Sequence, residues 1–268
     1  MTPQFIPCIL STLITKDMVA AYDTYDYPSY WDGREYEHEA EIIAIESFLK
    51  NIPKIKTTLE IGAGYGRLTP SYLFRSSKVV LADPSAKLLK IARDNFKEKN
   101  IEFIQSSIEN LPNKIRRNSV DLIVLVRVLH HIRDINDAFQ IVSRLLKKNG
   151  YFILEFANKS HIKATAREFL KGNFTYPLEI FPKDKRSSIN KNKKTIPFVN
   201  YHPDQIIEKL ASLGFEIIEI RSVSNIRSPL VKSLIPREAL LFIEKYSQNI
   251  LSHLKFGPSI FILANNTR

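Results

Sequence analysis

Between residues 57 and 156, short apolar runs alternate with stretches whose apolar positions recur every three or four residues. The runs at 57–61, 78–82, 101–105, 122–126 and 151–156 have the length and β-branched content of strands. The run at 122–126 is apolar throughout, as in a strand buried on both faces. Helices are predicted over 67–74, 86–97 and 134–147, the last closed by Gly150 as a C-terminal stop. Strand and helix in alternation predict an α/β fold with a parallel sheet and crossover helices.

After residue 156 the pattern changes. The segment 159–194 contains Pro177 and Pro182 and predicts a short helix over 163–170 followed by a mobile loop. Regular patterning resumes with a helix over 203–213 stopped by Gly214, a strand at 215–220, a helical stretch over 230–254 and a last strand at 259–263. Upstream, 5–15 reads as a helix or loose arm, and 16–50 as helical and rich in tyrosine. The organisation expected is an N-terminal helical arm or lid over 1–50 and one domain over 51–268, with insertions at about 159–200 and 228–256.

The 268 residues are 44% apolar, enough for one sizeable core. A single cysteine, Cys8, excludes an internal disulfide and a Cys-rich zinc module. No apolar run is long enough to span a bilayer, and 5–15 lacks a basic leader, so a cytoplasmic setting is expected. The net charge is +11, and most of the surplus sits in 159–194, where eight Lys and two Arg face only Glu168, Glu179 and Asp184. RNA or an anionic lipid surface, through peripheral contact, would suit that segment. A solvated Lys-rich loop is the plainer reading, because no recognisable nucleic-acid module accompanies it.

The chemistry concentrates at Glu60-Ile61-Gly62-Ala63-Gly64-Tyr65-Gly66, directly after the first strand. Glycines at alternate positions allow positive φ and a close approach of ligand to main chain. The pattern is neither the dinucleotide fingerprint nor a phosphate loop. Asp83 directly follows the second strand, 21 residues after Gly62. That spacing suits a carboxylate that accepts from both hydroxyls of a ribose, although Asp83 also stands where a helix cap would. His130 and His131 follow the fourth strand, on the edge where open α/β sheets bind ligands, and either is a candidate general base. Adjacent on a helix, the two would face different directions and make no metal site.

Those residues resemble a class I S-adenosylmethionine-dependent methyltransferase of the small-molecule type 11 sort. The resemblance runs through Asp83-Pro84-Ser85, Glu109-Asn110-Leu111-Pro112, Val120-Asp121-Leu122-Ile123, Leu129-His130-His131-Ile132 and Leu145-Leu146-Lys147-Lys148-Asn149-Gly150-Tyr151. It covers about a hundred residues and implies a Rossmann-like doubly wound seven-stranded sheet whose last two strands pair antiparallel. It also implies S-adenosylmethionine as cofactor. Gly62, Ala63, Gly64 and Gly66 would lie against the methionine and ribose, Glu60 would reach the amino group, and Asp83 would hold the diol. Pro84 or Ser85 would flank the adenine. Where the family usually has an Asp for the adenine amino group, this chain has Ser107, which accepts without charge; the Ile108 N–H would serve a ring nitrogen. Arg127 would line the bottom of the pocket.

The aromatic stretch from Tyr22 to Trp31, Tyr30 included, is a candidate lid whose ring faces suit a sulfonium. Arg34 is a candidate partner for the cofactor carboxylate, and Tyr36, Glu37 and His38 would point into the same cleft. Cys8 lies too far upstream for cytosine C5 chemistry, and Arg127-Val128-Leu129-His130 replaces the Asn/Asp-Pro-Pro-aromatic motif of adenine amino-methylases. The reaction expected is methyl transfer to O, N or C of a small or medium-sized acceptor, such as a hydroxylated aromatic, a sugar or a lipid-linked intermediate. An RNA methyltransferase using 159–194 and a cofactor-binding scaffold without catalysis are the alternatives.

Overall fold

The computed structural model describes residues 26–97, 100–192 and 197–268. Cys8, the arm expected over 5–15, the lid residues Tyr22 to Tyr25, and Lys193 and Lys194 lie outside them. Strand β1 (Ile55–Ile61) pairs in parallel with β2 (Ser76–Asp83) on one side and β4 (Val120–Leu125) on the other. Beyond them, β3 (Ile101–Gln105) pairs with β2 and β5 (Leu146–Ala157) with β4, again in parallel. Two antiparallel strands, β9 (Ser259–Asn266) and then β8 (Phe215–Val223), complete the order β3-β2-β1-β4-β5-β9-β8. The chain runs outward from β1 to one edge and returns at β4, so a crevice opens at the carboxyl ends of β1 and β4.

Both faces of this sheet are buried, which explains the unbroken apolar runs. Ile123 and Leu125 of β4 face one core, together with Leu59, Val80 and Phe152. Leu122 and Val124 face the other, with Val79, Leu81 and Ile153. The first core is closed by α4 (Ile135–Leu145) and α7 (Pro203–Ser212), the second by α1 (Glu35–Lys50) and α3 (Ala86–Asn95). In α4 the buried set is Ile135, Ala138, Phe139, Ile141, Val142 and Leu145, one stripe of a 3.6-residue period. Asp134 caps that helix by accepting from the N–H groups of Asn136 and Asp137.

Several elements depart from the pattern-based expectation. The helix expected over 67–74 shrinks to one turn, α2 (Pro70–Leu73), because the glycine turn continues to Thr69 and Pro70 suits only a first helical position. Gly150 does not stop α4. That helix ends at Leu145, Leu146 already pairs with Val120 as strand, and the left-handed residue is Asn149 (φ 60°). Within the loop expected after α5 (Ile162–Leu170), the described residues form β6 (Lys183–Asp184), a short α6 (Ser188–Asn192) and β7 (Val199–Asn200), with β6 and β7 antiparallel. The helical stretch at 230–254 divides at Pro236 into α8 (Pro229–Leu234) and α9 (Arg237–His253). Helix α9 packs on β8 and α1, so this insertion braces the sheet. No described helix is long and apolar enough to cross a membrane.

Candidate active site

A cleft of about 610 Å³ occupies the crevice at the carboxyl edge. Of the residues singled out in the sequence, Tyr30, Arg34, Gly62, Gly64, Asp83, Pro84, Ser107, Ile108, Arg127, His130 and His131 line it. The glycine turn and Asp83 form one unit. Asp83 Oδ2 accepts from the Gly64 N–H at 2.8 Å and Oδ1 from the Ser85 N–H at 2.8 Å. Ser85, not Asp83, caps α3, through the Leu88 N–H. Gly62 and Gly64 have φ of 73° and 56°. A Cβ on Gly62 would stand 2.2 Å from Val128 Cγ2, and one on Gly64 would point between Tyr27 and Leu88, which line the cleft. Gly64 therefore keeps main chain bare toward the cleft, and Gly62 leaves room for the Val128 side chain.

Beneath Trp31 lies an ionic cluster the sequence did not disclose. Glu41 of α1 is fully buried and bridges Arg67 at 2.6 Å and Arg127 at 2.5 Å. Burial alone would raise its pKa, but the two guanidiniums outweigh that and hold it below the usual value. Arg127 has φ of 63°, and its N–H donates to buried Glu155 at 2.8 Å. Trp31 roofs the cluster, with the Arg67 guanidinium 3.5 Å from its ring centroid. Tyr27 and Tyr30 stack beside it, ring centroids 5.9 Å apart, and Arg34 lies 4.3 Å over Tyr30. The faces of Tyr30 and Trp31 thus already carry the protein's own cations, which revises the expectation of open ring faces.

His130 and His131 stand on a 3-10 turn (Leu129–His131), and their rings converge to 4.0 Å instead of diverging. The geometry of a 3-10 turn, with Phe198 packed against both rings, replaces the helical spacing expected. Burial lowers the pKa of both, so both are neutral near pH 7. His131 Nδ1 lies 2.8 Å from the Pro197 carbonyl. That contact places the proton on Nδ1 and the lone pair on Nε2. Four buried polar atoms of residues lining the cleft have no partner among the described residues: Trp31 Nε1, His130 Nδ1, Asn200 Oδ1 and Ser224 Oγ. Such atoms cost free energy unless a ligand or water meets them, so the cleft is built for polar contact.

Six of the residues singled out lie elsewhere, Ser85 at the start of α3 among them. Glu60 is buried below the glycine turn and accepts from Thr69 Oγ1 at 3.0 Å and from the Tyr72 hydroxyl. Ala63 packs in the core beside α1, and Gly66 admits the Phe96 ring, which a Cβ would meet at 2.5 Å. Tyr36 donates to Glu244 at 2.5 Å, and His38 meets Arg67. Tyr36, His38 and Gly66 meet partners distant in sequence, whereas Glu60 is held by Thr69 and Tyr72 close to it along the chain. The sequence reading missed Glu41, Glu155, His161, Phe198, Asn200 and Arg227; only the basic surroundings of His161 left a local trace.

Burial pushes the Glu60 carboxyl up to about 7, against the opposing hydrogen bonds from Tyr72 and Thr69. Its folded-state value thus lies above the ordinary 4.5, so its contribution is present below about pH 4.5 and is lost as pH rises through about 7. Thermal melts of Glu60→Gln against the parent are expected to show a Tm difference that shifts in favour of the variant between about pH 5 and 8. A difference independent of pH would contradict this.

Residues 59–154 match a family model described as a methyltransferase domain. The chain is 28% identical over 180 residues to the ubiquinone/menaquinone biosynthesis C-methyltransferase of Stutzerimonas stutzeri, which spans 62% of this chain and 68% of that one. The protein of the same description from Shewanella frigidimarina is 25% identical over 229 residues, 79% of this chain and 85% of its own. Among solved structures, an S-adenosylmethionine-dependent methyltransferase from Leishmania major aligns with a TM-score of 0.60 and 13% identity, over 94% of this chain and 82% of that one. At such identity the structural likeness establishes the fold.

Proposed function

We propose that this chain, a class I S-adenosylmethionine-dependent methyltransferase, methylates a small or medium-sized acceptor held between the lid and the His130–His131 turn. The observation that carries this reading is the Asp83 carboxylate locked onto Gly64 inside the cleft. It supports a ribose diol at Asp83, main-chain contact at Gly62 and Gly64, and adenine against Pro84, Ser107 and Ile108. Arg34 has no ion-pair partner among the described residues and suits the amino-acid carboxylate. Arg127 lends its backbone and, tied to Glu41, a fixed floor. Glu60, Ala63 and Gly66 support the turn from behind. When bound, the cofactor supplies a methyl already activated on a sulfonium, so holding the acceptor in line provides much of the rate.

Tyr27, Tyr30 and Trp31 close the cleft and exclude water. His131 receives the acceptor's proton at Nε2, and His130 packs against its ring to orient it. Among oxygen, nitrogen and carbon, the relatives named as C-methyltransferases favour an activated carbon as the accepting atom. A lid over 1–50 and a cytoplasmic setting belong to the same proposal. Turnover on an acceptor panel with methyl-labelled cofactor tests it. His131→Ala is expected to lower kcat roughly 100-fold while leaving S-adenosylhomocysteine affinity intact. Near-parental turnover in both His131→Ala and His130→Ala would remove the base from the mechanism and leave positioning alone.

A further inference from the structure

We infer that the outer end of the cleft binds a phosphate-type anion carried by the acceptor, held by Arg227 and Lys185 beside His161, with Lys163 and Arg167, one turn apart on α5, adding positive charge. This rests on the methyl-transfer reading for its meaning but not for its observations. His161 and Arg227 come from opposite sides of the fold, the start of α5 and the loop after β8, and both line the cleft. The Lys185 N–H donates to the Phe198 carbonyl, which sets it beside a residue that also lines the cleft.

The local carboxylates are already committed. Glu168 pairs with Lys171 and Lys183, Glu179 with Lys159, and Asp184 with Arg186. Lys163, Arg167, Lys185 and Arg227 have no ion-pair partner among the described residues. His161 registers their charge. Its pKa is pushed down to about 4, first by burial and then by Lys185, Arg227, Arg167 and Lys163. Lys185 is lowered as well, by burial and then by Lys183 and Arg167, with Glu168 opposing.

Cations gathered at an exposed rim without counter-charge repel one another until an anion arrives. Four of them exceed the charge of a single carboxylate and match a phosphate or diphosphate, whose oxygens accept from several donors at once. Ser224 Oγ and Asn200 Oδ1, on residues more than nine-tenths buried and without partners among the described residues, lie in the same cleft and would meet the neutral polar part of that acceptor. Phosphate on a soluble metabolite and phosphate on a lipid headgroup share this chemistry.

The test is calorimetric titration of the full chain with inorganic pyrophosphate, with S-adenosylhomocysteine present. The double variant Lys185→Gln/Arg227→Gln is expected to weaken pyrophosphate at least about tenfold, from two lost charge-assisted contacts, with S-adenosylhomocysteine affinity unchanged. A charge-matched control, Lys90→Gln/Lys245→Gln on α3 and α9, should bind pyrophosphate like the parent. Loss of S-adenosylhomocysteine binding in the parent would count against the cofactor reading alone. No pyrophosphate binding, equal weakening in the control, or undiminished binding in the double variant would overturn the anion site. Vesicles of phosphatidylcholine containing phosphatidic acid separate the two sources. Variant-sensitive vesicle binding that pyrophosphate displaces supports a lipid phosphate, and pyrophosphate binding without vesicle binding supports a soluble phosphorylated acceptor.

Discussion

Asp83→Ala is expected to weaken S-adenosylhomocysteine at least about 100-fold in calorimetric titration, the sum of two lost hydrogen bonds to a charged group. The loss has two origins. The carboxylate would accept from the ribose hydroxyls, and it also fixes the turn against which the rest of the cofactor would lie. In the parent, its two oxygens take the N–H groups of Gly64 and Ser85, each at 2.8 Å. Removing it leaves a buried Gly64 N–H without an acceptor, so the turn relaxes as well. Asp83→Asn keeps one oxygen and should fall between parent and Ala. NAD serves as the control ligand and should bind none of the three. Equal affinity of parent and Asp83→Ala would show that Asp83 contacts no cofactor and would withdraw the site as drawn.

The largest expected loss of stability is at Glu41, outside every motif. Glu41→Gln would leave the guanidiniums of Arg67 and Arg127 without the carboxylate that joins them. Breaking a buried ion pair from one side costs about 3–5 kcal/mol. For a chain of this size that is a Tm drop of roughly 6–20 °C. Trp31 is the one tryptophan in the sequence and lies 3.5 Å from the Arg67 guanidinium, so its emission reports the same unfolding and shifts when the cluster opens. The sign with pH is opposite to that at Glu60. Glu41 is held below its ordinary value, so its contribution is present above about pH 4.5 and is lost as pH falls through the folded-state value. The Tm gap between parent and Glu41→Gln should therefore narrow in acid. A gap near zero at pH 7 would mean that solvent compensates the two arginines and that the cluster is no keystone.

The two cases differ in how readable they were. Asp83 announced itself because a strand, a turn and a carboxylate come in a fixed order along the chain, and a parallel sheet brings consecutive strand ends to one edge. Glu41 carries no such mark. It is one acidic residue in a helix rich in them, and Arg67 and Arg127 reach it only after β1 and β4 have paired. The same holds for Glu60, which occupies a motif position yet is satisfied by Thr69 and Tyr72 below the turn.

Hydrophobic periodicity and glycine placement were sufficient for the strands, their parallel core and the ligand-binding edge, because those follow from local geometry and from burial on both faces. Resemblance to a family added the cofactor and the antiparallel final pair. Long-range pairing settled the rest: the convergence of His130 with His131 against Phe198, the bracing of the sheet by α9, and the gathering of His161 with Arg227 at one rim. Charges and rings distant in sequence acquire partners only when the sheet has folded. Their energies depend on distance and burial, which residue order does not contain.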